Sequence, residues 1–510
     1  AMAARGQGRF RHVFRRVSGA FRFHARGGDD DQGDLLVNVE TVRPPNVGTI
    51  RATLAYPSYT GREAITQAGG SIEALEGTQV TLQISATAEV RQARILFQES
   101  GKELALTAQT LQDDAGTRVV WTGAFPVEKS DRYAVELLGP TGLRNPNPGT
   151  YPVVSVPDFA PVGTLLSPPD DTLNVVLPNA LLPLRAEVRD DYGFARVDAL
   201  LQVGKSEARI TVPLFARPQG AEPVKSMVTT EVHDLTAVKA AVGDTLQISV
   251  LLEDVRAPVP LQTRLPARTL YVVTENDLLR RITGHFRQIR EEVEQALGLQ
   301  QDRRDRLREL LEESRAGGGG ELQAALTAAE VGQGRVQGAA ERVHTELMRS
   351  FDLHLFNRLE ASTHAQRVVE LYVQHQRAHP LAQPFQPTFY AAVAAARNDG
   401  TLGAMERTLD PILAMLTRAG RIARELAPQA VRGVAEATVA GSAAARTQAL
   451  ERALTRQEEI VAELQALLAR LDEWNEYQDV VMQARALRDK QKDVQSRTEK
   501  VGTDPKAGGK

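Results

Sequence analysis

The residues best placed for chemistry in this sequence are acids. Asp190-Asp191-Tyr192-Gly193 sets two carboxylates ahead of a glycine, and Glu253 and Asp254 lie on a later alternating segment able to return beside them. Such an oxygen set suits a hard cation such as calcium. Calcium loops normally show more acids at alternate positions, however, and Asp with Gly makes an ordinary turn by itself, so the pattern favours a turn. His375 and His379 stand four apart, a helical metal spacing, yet Gln376 follows where a zinc hydrolase helix carries Glu, and Pro380 ends the helix at once. His344, His354 and His364 are ten apart, which turns each by about 80° from the last on a helix, so they do not converge. Neither a Gly-Lys phosphate loop nor a nucleophile elbow occurs. The chain has no cysteine, which removes disulfides, thiolate metal sites and cysteine nucleophiles together. The expectation is therefore a non-enzymatic chain with no cofactor and, apart from the four-acid calcium candidate, no metal.

Binding chemistry is more legible at the amino terminus. The first 26 residues hold seven arginines and no acid. Phe10, Val13, Phe14, Val17 and Phe21 recur at helical spacing among Arg9, Arg11, Arg15, Arg16 and Arg22, as in a basic amphipathic segment lying on an anionic membrane surface. Around Phe21 and Phe23 the pattern alternates instead, which fits the first strand of the next domain. Aromatics among basic residues also suit phosphate and base stacking, so nucleic acid is the lesser alternative for this arm. It has no continuous apolar core of a secretory signal, and no run of about 18 apolar residues occurs anywhere in the chain.

These groups must be positioned by two kinds of element. Of the 26 prolines, 20 precede Asn276, among short alternating runs; beyond it the chain reads as long helices rich in Ala, Leu, Arg, Glu and Gln. With 25% charged and 42% hydrophobic residues and a net charge of -3, the composition is that of an ordinary folded protein. The first half has strand candidates at 35–42, 48–56, 79–87, 93–98, 104–111, 119–125, 133–138 and 152–156, after an acidic, glycine-bearing turn at 27–34, with a Pro- and Gly-rich loop at 139–151. That spacing predicts a β-sandwich. A second module repeats the scheme: Ala88-Glu89-Val90 through Ala93-Arg94-Ile95 resembles Ala186-Glu187-Val188 through Ala195-Arg196-Val197, and Val47-Gly48-Thr49 resembles Val162-Gly163-Thr164.

The helical half opens on capping residues Thr274 to Asp277 before the apolar face of Leu278, Leu279, Ile282, Phe286, Ile289 and Val293. A first helix is expected to about Arg315, broken by Gly317 to Gly320, and a second over 321–375. Pro380, Pro384 and Pro387 predict an extended link, and a third helix covers 388–426 with interruptions near Asp399-Gly400 and Pro411. The last helix, 434–498, carries the seam Ile460, Leu464, Leu467, Leu471, Trp474, Gln478 and Val481, in steps of four and three, ending where Arg485 and Arg488 take those positions. So short a seam favours antiparallel packing on neighbouring helices over an intermolecular rod.

Pro57-Ser58-Tyr59-Thr60-Gly61, followed by Gly69-Gly70-Ser71-Ile72 and Glu76-Gly77-Thr78-Gln79-Val80, resembles the extracytoplasmic part of an uncharacterised family of large bacterial envelope proteins with a Pro-x-Tyr-Thr-Gly signature. The likeness also touches 21–34, Asp190 to Gly193 and 468–491. It implies Ig-like modules followed by a long helical region, normally behind amino-terminal transmembrane helices, and a place in the cell envelope, periplasmic and membrane-associated. It carries no catalytic residues to transfer, and this sequence contains no transmembrane helix.

Together these readings predict a multidomain β + α chain: a basic arm (1–26), two tandem Ig-like β-sandwiches (27–156 and 157–275), a long-helix bundle with coiled-coil character (276–500) and a polar tail (501–510). The function expected is a structural or protein-interaction scaffold of the envelope, with protein partners, self-association through the helical region and membrane contact through the arm. Two rivals are a carbohydrate- or peptide-binding module using the sandwich loops, and a metal-dependent enzyme using the Asp190 region or the His375 pair. Trp121, the one Trp of the β half, discriminates the first rival: exposure supports a carbohydrate platform, burial returns it to the core.

Overall fold

The computed structural model describes residues 2–4, 7, 9–25, 36–113, 116–170, 173–205, 209–317, 320–359, 362–403 and 409–502. The expected turn at 27–34 and the tail from 503 lie outside them. The chain divides into two compact units, Ala1–Phe159 and Ala160–Lys510.

In the first unit the arm is not helical. β1 (Ala3–Ala4) pairs with β2 (Phe10–Arg11), and β3 (Phe21–Phe23) pairs with β4 (Val37–Val39). This corrects the amphipathic-helix expectation at Phe10 to Phe21. The alternation Phe21-Arg22-Phe23 wins because two ring-bearing residues on one side of a short strand can stack with Phe14, whose ring lies 4.8 Å from both.

Ten further strands follow: β5 (Val47–Ala55), β6 (Ile65–Ala68), β7 (Ile72–Leu75), β8 (Gln79–Ala86), β9 (Gln92–Phe97), β10 (Glu103–Ala105), β11 (Thr107–Asp113), β12 (Gly116–Pro126), β13 (Asp131–Leu138) and β14 (Thr150–Val156). One sheet runs β11-β12-β8-β5-β6 and the other β10-β9-β13-β14-β7, with β7 parallel to β14 and the other pairings antiparallel. This is the Greek-key order of an immunoglobulin-like sandwich. Where antibody domains place a disulfide between the sheets, this chain packs Leu82, Ile84, Ile95, Val135 and Leu137, all essentially inaccessible, against Trp121, Phe125 and Tyr133. The loop at 139–151 is held by Asn145, which accepts from the Leu137 amide and donates to the Val135 carbonyl, both at 2.8 Å, as a further strand would.

The second unit repeats that order with β15 (Val162–Ser167), β16 (Val175–Val176), β17 (Leu181–Arg189), β18 (Phe194–Val203), β19 (Arg209–Ala216), β20 (Ser226–Asp234), β21 (Thr245–Asp254), β22 (Gln262–Arg264) and β23 (Arg268–Val272). Its sheets are β15-β17-β20 and β16-β23-β21-β18-β19, with β16 again parallel to β23. The recurrent Val-Gly-Thr has a steric cause. A Cβ on Gly48 would meet the Ser85 hydroxyl at 2.8 Å, which can turn away, and one on Gly163 the Glu187 backbone carbonyl at 2.6 Å, so both first strands lie close to a neighbour and the second too close for a side chain.

Helices continue the same unit: α1 (Glu275–Arg315), α2 (Gly320–Phe356), α3 (Thr363–Ala378), α4 (Pro387–Asn398), α5 (Leu409–Arg421), a π-turn at Ile422–Leu426, α6 (Ala427–Thr438) and α7 (Ala443–Gly502). The single helix expected over 321–375 is two, because Asn357 turns its side chain to the Leu353 carbonyl and the Leu177 amide while Arg358 takes a left-handed φ of 52°. Similarly, 434–442 belongs to the end of α6 and a turn, with Ser442 capping α7. The position 275/276 marks a change of secondary structure but not a boundary between cores, since one continuous apolar cluster runs from Leu184, Val197 and Ile248 to Phe286, Phe351 and Trp474.

Five ion pairs fix α1 antiparallel to α7: Glu275–Arg485, Arg287–Asp479, Arg290–Asp472, Arg308–Glu458 and Arg315–Glu451. Exposed pairs of this kind stabilise little individually, but their opposite numbering sets the register. Inside, Gln457 donates to Gln333 and Gln333 to Gln300, a buried amide chain linking three helices.

Candidate functional site

Of the four acids of the calcium candidate, Asp190 lies close enough to Asp191 and Asp254 to feel their charge, and one oxygen each of Asp190 and Asp254 accepts from loop amides. Asp190 Oδ2 accepts from the amides of Tyr192 and Gly193 at 2.9 and 2.5 Å. Asp254 Oδ1 accepts from Arg256 and Leu261, and Glu253 accepts from the Gln262 side chain at 2.8 Å. Burial pushes the Asp190 carboxyl up to about 6 against those two amides, with Asp191 and Asp254 adding to the rise. No group of three or more His, Asp or Glu able to hold a metal occurs among the described residues.

The histidines occupy separate surroundings. The His375 and His379 rings lie 4.8 Å apart, tilted to one another, at the end of α3. His344 is buried beside Arg424, and burial first, then that cation, lowers it to about 4. His354 gives the Ser350 carbonyl a 2.8 Å partner and packs edge-on to Trp474 and Phe286; its burial likewise lowers it to about 4. Trp121 lies between the sheets, 8% exposed, so it forms no carbohydrate platform.

The arm presents its apolar groups. Phe10 is 66% exposed, and Val13, Phe14 and Val17 are also open, among exposed Arg9, Arg11, Arg15 and Arg16. The seam, in contrast, is filled by the chain's own bundle. Ile460, Leu464, Leu467, Leu471 and Trp474 are buried and Val481 half-buried, with the Trp474 ring 5.2 Å from Phe286 of α1.

One buried polar cluster was not legible as a site. Arg185, on β17, has no accessible surface and donates to the carbonyls of Leu381 (2.8 Å), Gln383 (2.6 Å) and Pro384 (3.2 Å) in the proline link. It also reaches the Tyr372 hydroxyl. Nearby, Tyr390 donates to Asp352 Oδ1 at 2.9 Å; burial raises that carboxyl to about 7, although Tyr390 and Arg185 pull the other way. A cavity of about 90 Å³ beside it is lined by Arg349, Asp352 and Asn357 together with Ser167, Leu173 and Leu182. Arg358 extends the junction by pairing with Asp234 at 2.6 Å. Burial opposes ionisation there, yet Thr236 and Arg358 hold Asp234 down to about 2. The one sequence signal was Leu181-Leu182-Pro183-Leu184, an unbroken apolar run typical of a strand covered on both faces.

The signature segment is structural as well. Ser58–Thr60 forms a single 3-10 turn ended by Gly61 at φ 64°, and the Tyr59 hydroxyl donates to Asp158 at 2.8 Å, tying the turn after β5 to the chain leaving β14.

No protein-family model matches the chain, and no curated protein matches it in sequence. Among solved structures it is similar to the full ectodomain (Ig1–Ig3) of mouse nectin-like molecule 4, at 14% identity and a TM-score of 0.17, over 47% of this chain and 69% of that one.

Proposed function

We propose that this chain is a non-enzymatic protein-interaction scaffold of the bacterial cell envelope. The observation that carries the reading is the use made of Arg185, Asp352, Tyr372 and Tyr390: these polar groups bind the chain's own sandwich to its own helices. A body made rigid in this way presents fixed surfaces, and an Ig-like sandwich offers strand edges and loops as docking devices. The envelope location rests on the likeness around Pro57 to Gly61. Self-association through the seam is not part of the proposal, because the seam side chains are already buried.

Its test is residue-specific photo-crosslinking in bacterial envelopes, with probes on sandwich edges and, as controls, on α7. Discrete protein adducts confined to sandwich probes are expected. Their absence, together with turnover of any substrate by the purified chain, would sink the reading.

The exposed Phe10, Val13 and Phe14 among arginines favour a second contact, to an anionic lipid surface. Co-flotation with phosphatidylglycerol vesicles but not with zwitterionic ones, lost in Phe10→Ser/Phe14→Ser, is the expected result.

A further inference from the structure

An open sheet leaves unpaired backbone groups along its edge strands, and proteins usually blunt them. Most described edges here are blunted. β6 and β7 have four residues each, β10 three and β16 two. β15 has a register break between Leu165 and Ser167, β19 contains Pro213 beside a bulge at Leu214, and β20 packs against α3. β11 differs. It ends its sheet, runs seven residues without proline or register break against β12, and exposes Thr107, Ala108, Gln109, Thr110 and Gln112.

The register fixes which backbone groups point outward. Asp113 and Gly116 pair across two intervening residues, and the closing pair of such a hairpin exchanges hydrogen bonds, after which bonded pairs alternate. Thr107, Gln109 and Leu111 therefore bond to β12, while Ala108, Thr110 and Gln112 turn their N–H and C=O groups away from it. The phase agrees with the far side of β12, where the odd-numbered Val127 donates to the Thr78 carbonyl at 2.9 Å.

We propose that β11 pairs antiparallel with β11 of a second copy of this chain, about a two-fold axis at Thr110. This deepens the protein-interaction reading above and rests on it. Centred there, Ala108 faces Gln112 of the other copy and Thr110 faces its equivalent, so every outward N–H and C=O finds a partner. From Thr107 to Gln112 the strand carries no charge, so self-pairing opposes no like charges, whereas a charged foreign strand would find no counter-charge. Val119 lies opposite Thr110 on the same face and is 53% exposed. Pairing would join Val119, Thr110 and their two equivalents into one row of β-branched side chains across four strands, the residues that pack best on a pleated surface. So small an interface belongs to the weak class, below about 1,200 Å².

Sedimentation equilibrium of the full chain, from about 5 to about 500 µM to span that weak class, is expected to show a monomer–dimer equilibrium. Thr110→Pro deletes an outward N–H without touching the β12 ladder and should weaken dimerisation at least about tenfold. Because the chain has no cysteine, Thr110→Cys gives a site-specific reporter: bonded antiparallel pairs bring their Cα atoms to about 5.5 Å, within disulfide range. Mild oxidation should cross-link Thr110→Cys much faster than Gln109→Cys, whose side chain is off the axis on the other face. A chain monomeric throughout, with equal cross-linking of the two variants, overturns the proposal. So does a dimer indifferent to Thr110→Pro, or capture of an extended foreign peptide by a β11 that never self-pairs. In those last two cases the broader interaction reading survives on another surface or partner.

Discussion

The first sandwich closes its core around Trp121, Phe125 and Tyr133 between its own sheets, while the second, with the same strand order, continues its core into the helices. The difference lies in the sheet that contains the first strand of each module, β5 and β15. In the first it has five strands; in the second it has three, β15-β17-β20, and α2 and α3 cover it. β17 is consequently buried on both faces, with Leu182, Leu184, Ala186 and Val188 facing one side and Arg185 the other. One strand order thus serves as an independent domain in one place and as a layer of a larger body in the other, depending on what covers its outer face.

The sharpest way to break this comparison is to separate the parts. Residues 1–159 alone should fold cooperatively, whereas 160–274 alone should be largely unfolded, because its apolar surface would lose its helical cover. Amide dispersion in NMR spectra checks both, and a cooperative thermal transition in the 160–274 fragment would contradict the shared core. Next in size is Arg185→Met. Removing this donor strands Asp352 and the link carbonyls, at about 3–5 kcal/mol, and calorimetry should show the larger unit destabilised while the first sandwich melts unchanged.

Acid sharpens the same contrast. His354 is neutral in the fold, at about 4 against an ordinary 6.5, so between those values the unfolded chain binds the extra proton and stability falls as pH drops. Asp352, raised to about 7, acts oppositely: it costs stability as pH climbs from about 4 to 7. His354→Leu should therefore remove up to about 3 kcal/mol of acid sensitivity from the second unit between pH 6.5 and 4, read as the difference between pH-dependent urea titrations of the two proteins. The smallest effect compares equivalent glycines. Gly163→Ala drives a Cβ into the Glu187 carbonyl and should cost about 1–3 kcal/mol, while Gly48→Ala meets a Ser85 hydroxyl that can rotate and should cost less than about 1. Equal urea midpoint shifts would show that the two strand approaches are not distinguished in this way.

Much of the architecture was readable locally. Alternation located β5, β8, β9, β12 and β13, and capping residues placed the start of α1 to within a residue, since Thr274 accepts from the Asp277 amide at 3.1 Å. β6 and β7 were missed because they flank Gly69-Gly70, whose turn signals mask four-residue strands. In the arm the alternation at Phe21 to Phe23 located β3, whereas the helical period of Phe10, Phe14 and Phe21 misled because the pairing of Phe10 and Phe21 depends on other strands. Of the candidate acids, Asp190 and Asp254 lie near one another, yet whether they face a cation or backbone amides is set by loop geometry that spacing does not encode.

By itself, then, the sequence determined where chain direction and period change, that no thiol chemistry exists, and that two modules share a Val-Gly-Thr entry and a central hairpin. These follow from local sterics and from side-chain period, which neighbouring residues fix among themselves. Only the tertiary structure decided that Arg185 would meet Leu381 and Gln383, nearly two hundred residues away, that the α7 seam would be spent within the chain, and that β11 would be left as the long unblunted edge. Those outcomes depend on which surfaces cover which, and burial of a polar group or exposure of a strand edge is a property of the assembled layers rather than of any segment.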